Sequence, residues 1–199
     1  MQIRGSSRRD HRRQNGQAIT ELGVSLVVFL LLLTGLLDLG RVYYFTSALR
    51  GTAFAAARHA AWFSNNQRQN PYLDDSDITT AVNEGLAGAN LATVTGVQGT
   101  CPNPSDSNSY HNPPYDNSLY PTGINQTYLY VCYTTPGGTV TGSQATAPGP
   151  YISTWHLGDV NVILLFNYGL VTGFLQNQLQ AVGGIKVAAN AHFTIQGGP

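Results

Sequence analysis

From Leu22 to Leu37 the chain is apolar at every position except Gly23, Ser25, Thr34 and Gly35. No polar face recurs in this run, and a helix apolar all round belongs in lipid or deep inside a large protein. Ala18 to Leu39, 22 residues, would span ~33 Å as a helix, which fits a hydrocarbon core of roughly 30 Å. Past Leu39 the pattern becomes periodic. Val42, Phe45, Leu49, Ala53, Ala56, Ala60 and Phe63 recur every three or four positions, the signature of a buried stripe on an amphipathic helix. The run Ala53-Phe54-Ala55-Ala56-Ala57 strongly favours helix. One long helix is therefore expected from Gln17 to Phe63, with a small-residue face suited to close packing.

Beyond that helix the signals are shorter. Asp77 to Leu86 reads as a short helix with Asp77 as its N-cap. Residues 99–126 carry five prolines with many Ser, Asn and Asp, which predicts an irregular loop. Thr127 to Thr134 is rich in aromatic and β-branched residues and reads as a strand. A second low-complexity loop, Pro136 to Pro150, follows it. Val160, Val162, Leu164, Phe166 and Tyr168 alternate with Asn161, Ile163, Leu165 and Asn167, so both faces of that strand are largely apolar and it belongs at the centre of a sheet. From Ile185 to Ile195 the alternation leaves one apolar face. The predicted fold is α+β: a long N-terminal transmembrane helix continuing into a small exported domain with an antiparallel sheet.

Charge sharpens the membrane reading. Charged residues are 10% of the chain, against about 25% in an ordinary soluble domain. Arg4, Arg8, Arg9, Arg12 and Arg13 precede the apolar run, where positive charge holds an N-terminus in the cytoplasm. Arg41, Tyr43 and Tyr44 stand where the far interface should be. Asp38 and Arg41, three apart at the membrane exit, can pair on one helix face. The stretch Asp-Leu-Gly-Arg-Val-Tyr-Tyr after Leu37 offers no small-x-small site, so an ordinary cleaved secretory signal is disfavoured. The net charge of zero conceals segregation: after Gly16 there remain five basic and nine acidic residues, a balance of −4. Such a surface does not suit nucleic acid, and no nucleic-acid partner is expected.

Chemistry is mostly conspicuous by its lack. His11, His59, His111, His156 and His192 are scattered without metal-ligand spacing, and no hydrolase, zincin or phosphate-loop motif occurs. Asp74, Asp75 and Asp77 lack the glycine and distal glutamate of a calcium loop and read as a solvated acidic turn. No enzyme activity, cofactor, metal or small-molecule substrate is expected. Asn125-Gln126-Thr127 fits a glycosylation sequon of low specificity. Cys101 and Cys132, the two cysteines, both fall in the exported part, where a structural disulfide is favoured over redox catalysis. Of the eleven tyrosines, Tyr110, Tyr115 and Tyr120 sit in the loop and could line an adhesive surface. Tyr128, Tyr130, Tyr133 and Tyr168 fit ordinary sheet packing equally well.

Several of these segments together resemble one family. Gly16-Gln17-Ala18-Ile19-Thr20-Glu21, the leucine-rich span, Asp38-Leu39-Gly40-Arg41 and Ala56-Ala57-Arg58-His59-Ala60-Ala61 are similar to the TadE-like proteins, minor pilins or pseudopilins of the tight-adherence (Flp-type) pilus. Val160 to Tyr168 and Ile185 to Ile195 are similar to the strands that close the family's C-terminal part, whereas residues 66–154 match no pattern. The resemblance implies a pilin-like fold and cleavage by a prepilin peptidase between Gly16 and Gln17. It also implies N-methylation of Gln17 and an assembly role for Glu21, with other pilins and a pilus assembly platform as partners. The implied layout is a basic cytoplasmic leader (1–16), a single span (17–40), an exported helical continuation (41–63) and an extracytoplasmic domain (64–199), anchored in the cytoplasmic membrane. The competing reading is a membrane-tethered binding module or adhesin that never enters a filament.

Overall fold

In the computed structural model, helix α1 runs without interruption over Arg8–Ala60, 53 residues. The structure describes residues 8–62, 75–103, 112–134, 140–141, 158–170 and 184–196. Phe63, Asp74, Tyr110, His111, His156 and most of the Pro136–Pro150 loop lie outside them. The helix begins nine residues before the expected start at Gln17. Residues 8–15 contain no proline or glycine and include four arginines, good helix formers, so a helix nucleated in the apolar run propagates backwards through them.

The chain comprises two units, Met1–Arg41 and Val42–Pro199. In the first, thirteen large apolar side chains between Leu22 and Leu39 are each 41% to 69% exposed. Burying one such side chain is worth about 1.5–3 kcal/mol, so leaving them all in water costs on the order of 20 kcal/mol. That exceeds the net stability of a typical domain, about 5–15 kcal/mol. This helix is long and apolar enough to cross a membrane.

The second unit is built on a four-stranded antiparallel sheet in the order β2-β1-β3-β4. Its strands are β1 (Gln126–Thr134), β2 (Val140–Thr141), β3 (Asp159–Tyr168) and β4 (Ile185–Thr194). Central β3 is buried along nearly its whole length, as its two-sided apolar pattern requires. Register places Leu129 opposite Leu164, Val131 opposite Val162 and Tyr133 opposite Val160. On the other flank Ala189 meets Leu164 and Val187 meets Phe166. The short β2 falls inside a segment expected to be only loop, because two residues carry no alternation to read.

One face of the sheet receives the α1 stripe. Leu49, Ala53, Ala56 and Ala60 are fully buried there, with Val42 and Phe45 partly so. A second helix, α2 (Asp75–Gly88), packs into the same core through Ile78, Val82 and Leu86. It starts two residues before the expected Asp77 cap, and the acids Asp75 and Asp77 lie in its first turn, where they complement the helix dipole. Asp75 is 8% exposed and accepts a 3.5 Å hydrogen bond from the Tyr133 hydroxyl. The expected solvated acidic turn is thus corrected: Asp75 turns inward, and Asp77 alone of these two faces solvent. Where α1 ends, the Ala61 carbonyl accepts the Gln196 amide at 3.0 Å.

The opposite face is covered by irregular chain. Tyr115, Tyr120, Tyr130, Cys132, Ile163 and Leu165 form a second core there, with Cys101, Leu119 and Tyr128 against it. The strap 112–125, with a single 3-10 turn at Asn117–Leu119, is tied to three strands. The Tyr130 hydroxyl donates to Leu119 O at 3.0 Å, Asn167 Nδ2 to Pro121 O at 3.0 Å, and Lys186 Nζ to Asn117 O at 2.8 Å. Lys186 also stands 5.5 Å from the centre of the Tyr120 ring, a cation–π distance.

Candidate functional site

Gly16, Gln17 and Glu21 all lie within α1 and are exposed. Gln17 Nε2 donates to Glu21 Oε1 at 2.9 Å, four residues on. Thr20 Oγ1 donates to the Gln17 carbonyl at 2.8 Å. The Gly16–Gln17 bond is therefore not at a helix start, as expected, but inside a continuous helix. No atom outside the local backbone lies within 4 Å of a Cβ built at Gly16. Glycine there weakens the helix by about 1 kcal/mol relative to alanine, which favours local opening at that bond.

Asp38 and Arg41 differ in setting: Asp38 is 5% exposed and Arg41 is exposed. Cys101 and Cys132 form a disulfide with Cα atoms 5.8 Å apart. It joins the chain entering the strap to β1, at the edge of the tyrosine core.

The tyrosines expected to line an adhesive loop are divided by the structure. Tyr115 and Tyr120 are 5% and 7% exposed, so they are core residues and not a contact surface; Tyr110 lies outside the described residues. Burial, then the neighbouring Tyr120 phenol, push the Tyr115 pKa far up. Burial alone raises that of Tyr120, and burial followed by Tyr128 raises that of Tyr130. Each phenol stays neutral because its surroundings are apolar. Tyr133 and Tyr168 pack in the helix-facing core, as expected of strand residues. Asn125 has φ of 57°, and its Oδ1 accepts the Gly169 amide at 3.1 Å, so the sequon side chain helps hold a turn.

Among the described residues no group of three or more His, Cys, Asp or Glu gathers to hold a metal. His192 Nδ1 lies 2.9 Å from Asp159 Oδ2 across β3 and β4. Two features were not singled out from the sequence. Gly85 on α2 abuts Thr52 on α1, where a Cβ would meet Thr52 Oγ1 at 2.6 Å. The outward side of α1 carries Arg50, Phe54 and Arg58, all exposed. The second was legible as an i, i+4, i+8 spacing; the first depends on a contact between distant segments.

No curated protein and no solved structure matches the chain. One family model does, that of the TadE-like proteins, over residues 16–58. The match opens at Gly16 and takes in Glu21, the apolar run and the alanine stripe as far as Arg58. Over this stretch the chain is similar to the TadE-like proteins.

Proposed function

We propose that this protein is a minor pilin or pseudopilin that contributes to assembly of a tight-adherence pilus, after removal of residues 1–16 by a prepilin peptidase. The observation that carries the reading is the Gln17–Glu21 pair at the head of an uncovered apolar helix. A carboxylate inside an apolar run is costly, ~2.5–3.5 kcal/mol for comparable residues at a span centre and less near the interface. The precursor offsets part of that cost with a neutral amide donor. Cleavage adds a stronger donor: the new ammonium at Gln17 lies about one helical turn from Glu21, and a charged donor forms roughly twice as strong a hydrogen bond. The same ammonium, offered to Glu21 of a neighbouring pilin displaced by a turn, makes an intersubunit pair in a medium of low dielectric. Arg8, Arg9, Arg12 and Arg13 hold the leader on the cytoplasmic side by the positive-inside rule, which puts the bond before the peptidase and exports the sheet domain.

Mass spectrometry of membrane-extracted protein tests this. The expected N-terminus is Gln17, N-methylated; an intact Met1 terminus in a host that carries the peptidase would sink the reading. Gly16→Leu should block processing while leaving insertion intact, since nothing crowds that position.

A further inference from the structure

Arg50, Phe54 and Arg58 form an exposed stripe on α1, bordering the buried Leu49, Ala53, Ala56 and Ala57. The two arginines are about 12 Å apart along the axis, with the Phe54 ring between them, 54% exposed. Phe193 meets that ring edge-on at 4.9 Å, so it is braced on one side and open on the other. Ala55, Arg58, His59 and Trp62 join it around a shallow depression.

The exposed side of α2 has the complementary order. Asp77 and Glu84 are exposed and seven residues apart, about 10–11 Å, with the small Thr80 and Ala81 between them. Ile78, Val82 and Leu86 turn the other way, into the core. Base–ring–base therefore matches acid–small residue–acid in both sign and spacing. Among the described residues none of Arg50, Arg58, Asp77 and Glu84 forms an ion pair within the molecule.

We propose that the Arg50–Phe54–Arg58 stripe docks on the Asp77–Glu84 face of α2 in a second copy of this chain, with Phe54 set over Thr80 and Ala81. The acids that match the stripe, Asp77 and Glu84, belong to this same chain, which names a second copy and not an anionic membrane as the occupant. Beyond Arg41 the chain has four basic residues (Arg50, Arg58, Arg68, Lys186) and seven acidic ones (Asp74, Asp75, Asp77, Glu84, Asp106, Asp116, Asp159), so a negative lipid surface repels the segment as a whole. The contact is heterologous: each copy offers its stripe in one direction and its acidic face in another, and copies add in a row instead of closing on a two-fold axis. The inference does not depend on cleavage at Gly16.

The test uses the full chain purified in detergent, with benzoylphenylalanine replacing Phe54. Illumination should give an adduct of two chains whose cross-linked peptide lies within residues 75–88. Placing Arg50→Glu and Arg58→Glu in the probe-bearing copy should lower the yield about tenfold, since like charges then face each other. Adding a copy with Asp77→Arg and Glu84→Arg should restore it. All four positions are exposed, and the rescue separates loss of contact from loss of fold. Adducts with lipid or detergent only, a cross-link to another segment, or a yield indifferent to charge reversal would each overturn the proposal.

Discussion

Gly85→Ala measures how closely the two helices of the second unit, Val42–Pro199, approach. In an exposed helix interior this change stabilises by about 1 kcal/mol, because alanine loses less backbone freedom on folding. Here the added Cβ would lie 2.6 Å from Thr52 Oγ1, 2.7 Å from Cγ2 and 3.1 Å from Cβ. Thr52 is 6% exposed and β-branched, so it cannot swing both substituents away at once. Neither can α1 yield freely, since Leu49, Ala53 and Ala56 beside it are fully buried. Overpacking of this kind costs about 1–3 kcal/mol. Set against the propensity gain, the net effect is a loss of about 1 kcal/mol. Thr52→Ala removes Oγ1 and Cγ2 and leaves only the 3.1 Å contact, so in that background Gly85→Ala should become neutral or stabilising. The cycle of four proteins should show a coupling of about 1–2 kcal/mol. Urea midpoints of the full chain in detergent, followed by aromatic fluorescence, supply the numbers. A Gly85→Ala variant more stable than the parent, or an equal loss in both backgrounds, would refute the close approach.

Three other outcomes follow from the same structure. Cys101 and Cys132 are 31 residues apart, a loop whose closure is worth roughly 3–4 kcal/mol in the chain-entropy model; Cys101→Ala/Cys132→Ala should lower the unfolding free energy by about that much, and two thiols that label in the native protein would contradict the bond itself. Glu21→Ala should leave cleavage and membrane insertion unchanged but reduce co-assembly, so normal pilus number with normal pull-down of partner pilins would count against the role given to Glu21. The three buried phenols have folded-state pKa values above the ordinary 10.0. Their contribution to stability is therefore complete below that pH and is lost as pH rises past it, because the unfolded chain ionises first. Chemical unfolding across that range should show stability falling on the alkaline side, and a flat profile would mean that the strap tyrosines are solvated.

How much of this was legible depends on how far apart the partners lie in the chain. The alanine stripe of α1 and the two-sided apolar pattern of β3 are local periodicities; each dictates which faces must be covered, and the structure covers them. The predicted start of α1 failed because apolar patterning ends near Ala18 whereas helix propensity does not, so the basic segment before Gly16 joins a helix that the apolar residues nucleate. Asp75 failed differently. Three neighbouring acids read as a solvated turn, yet one of them is within reach of the Tyr133 hydroxyl, 58 residues away. The loop tyrosines follow the same logic. A proline-rich, asparagine-rich segment carries no period, so nothing local distinguishes a ring offered to solvent from one pressed on a sheet. What decides it is β3. Its second apolar face, Ile163 and Leu165, cannot be left in water, α1 and α2 already occupy the other side, and the disulfide brings the strap to the β1 edge of that face. Tyr115 and Tyr120 are the bulkiest side chains the strap brings there, and burying them leaves, among the described residues, the outward side of α1 and not the strap as exposed aromatic surface.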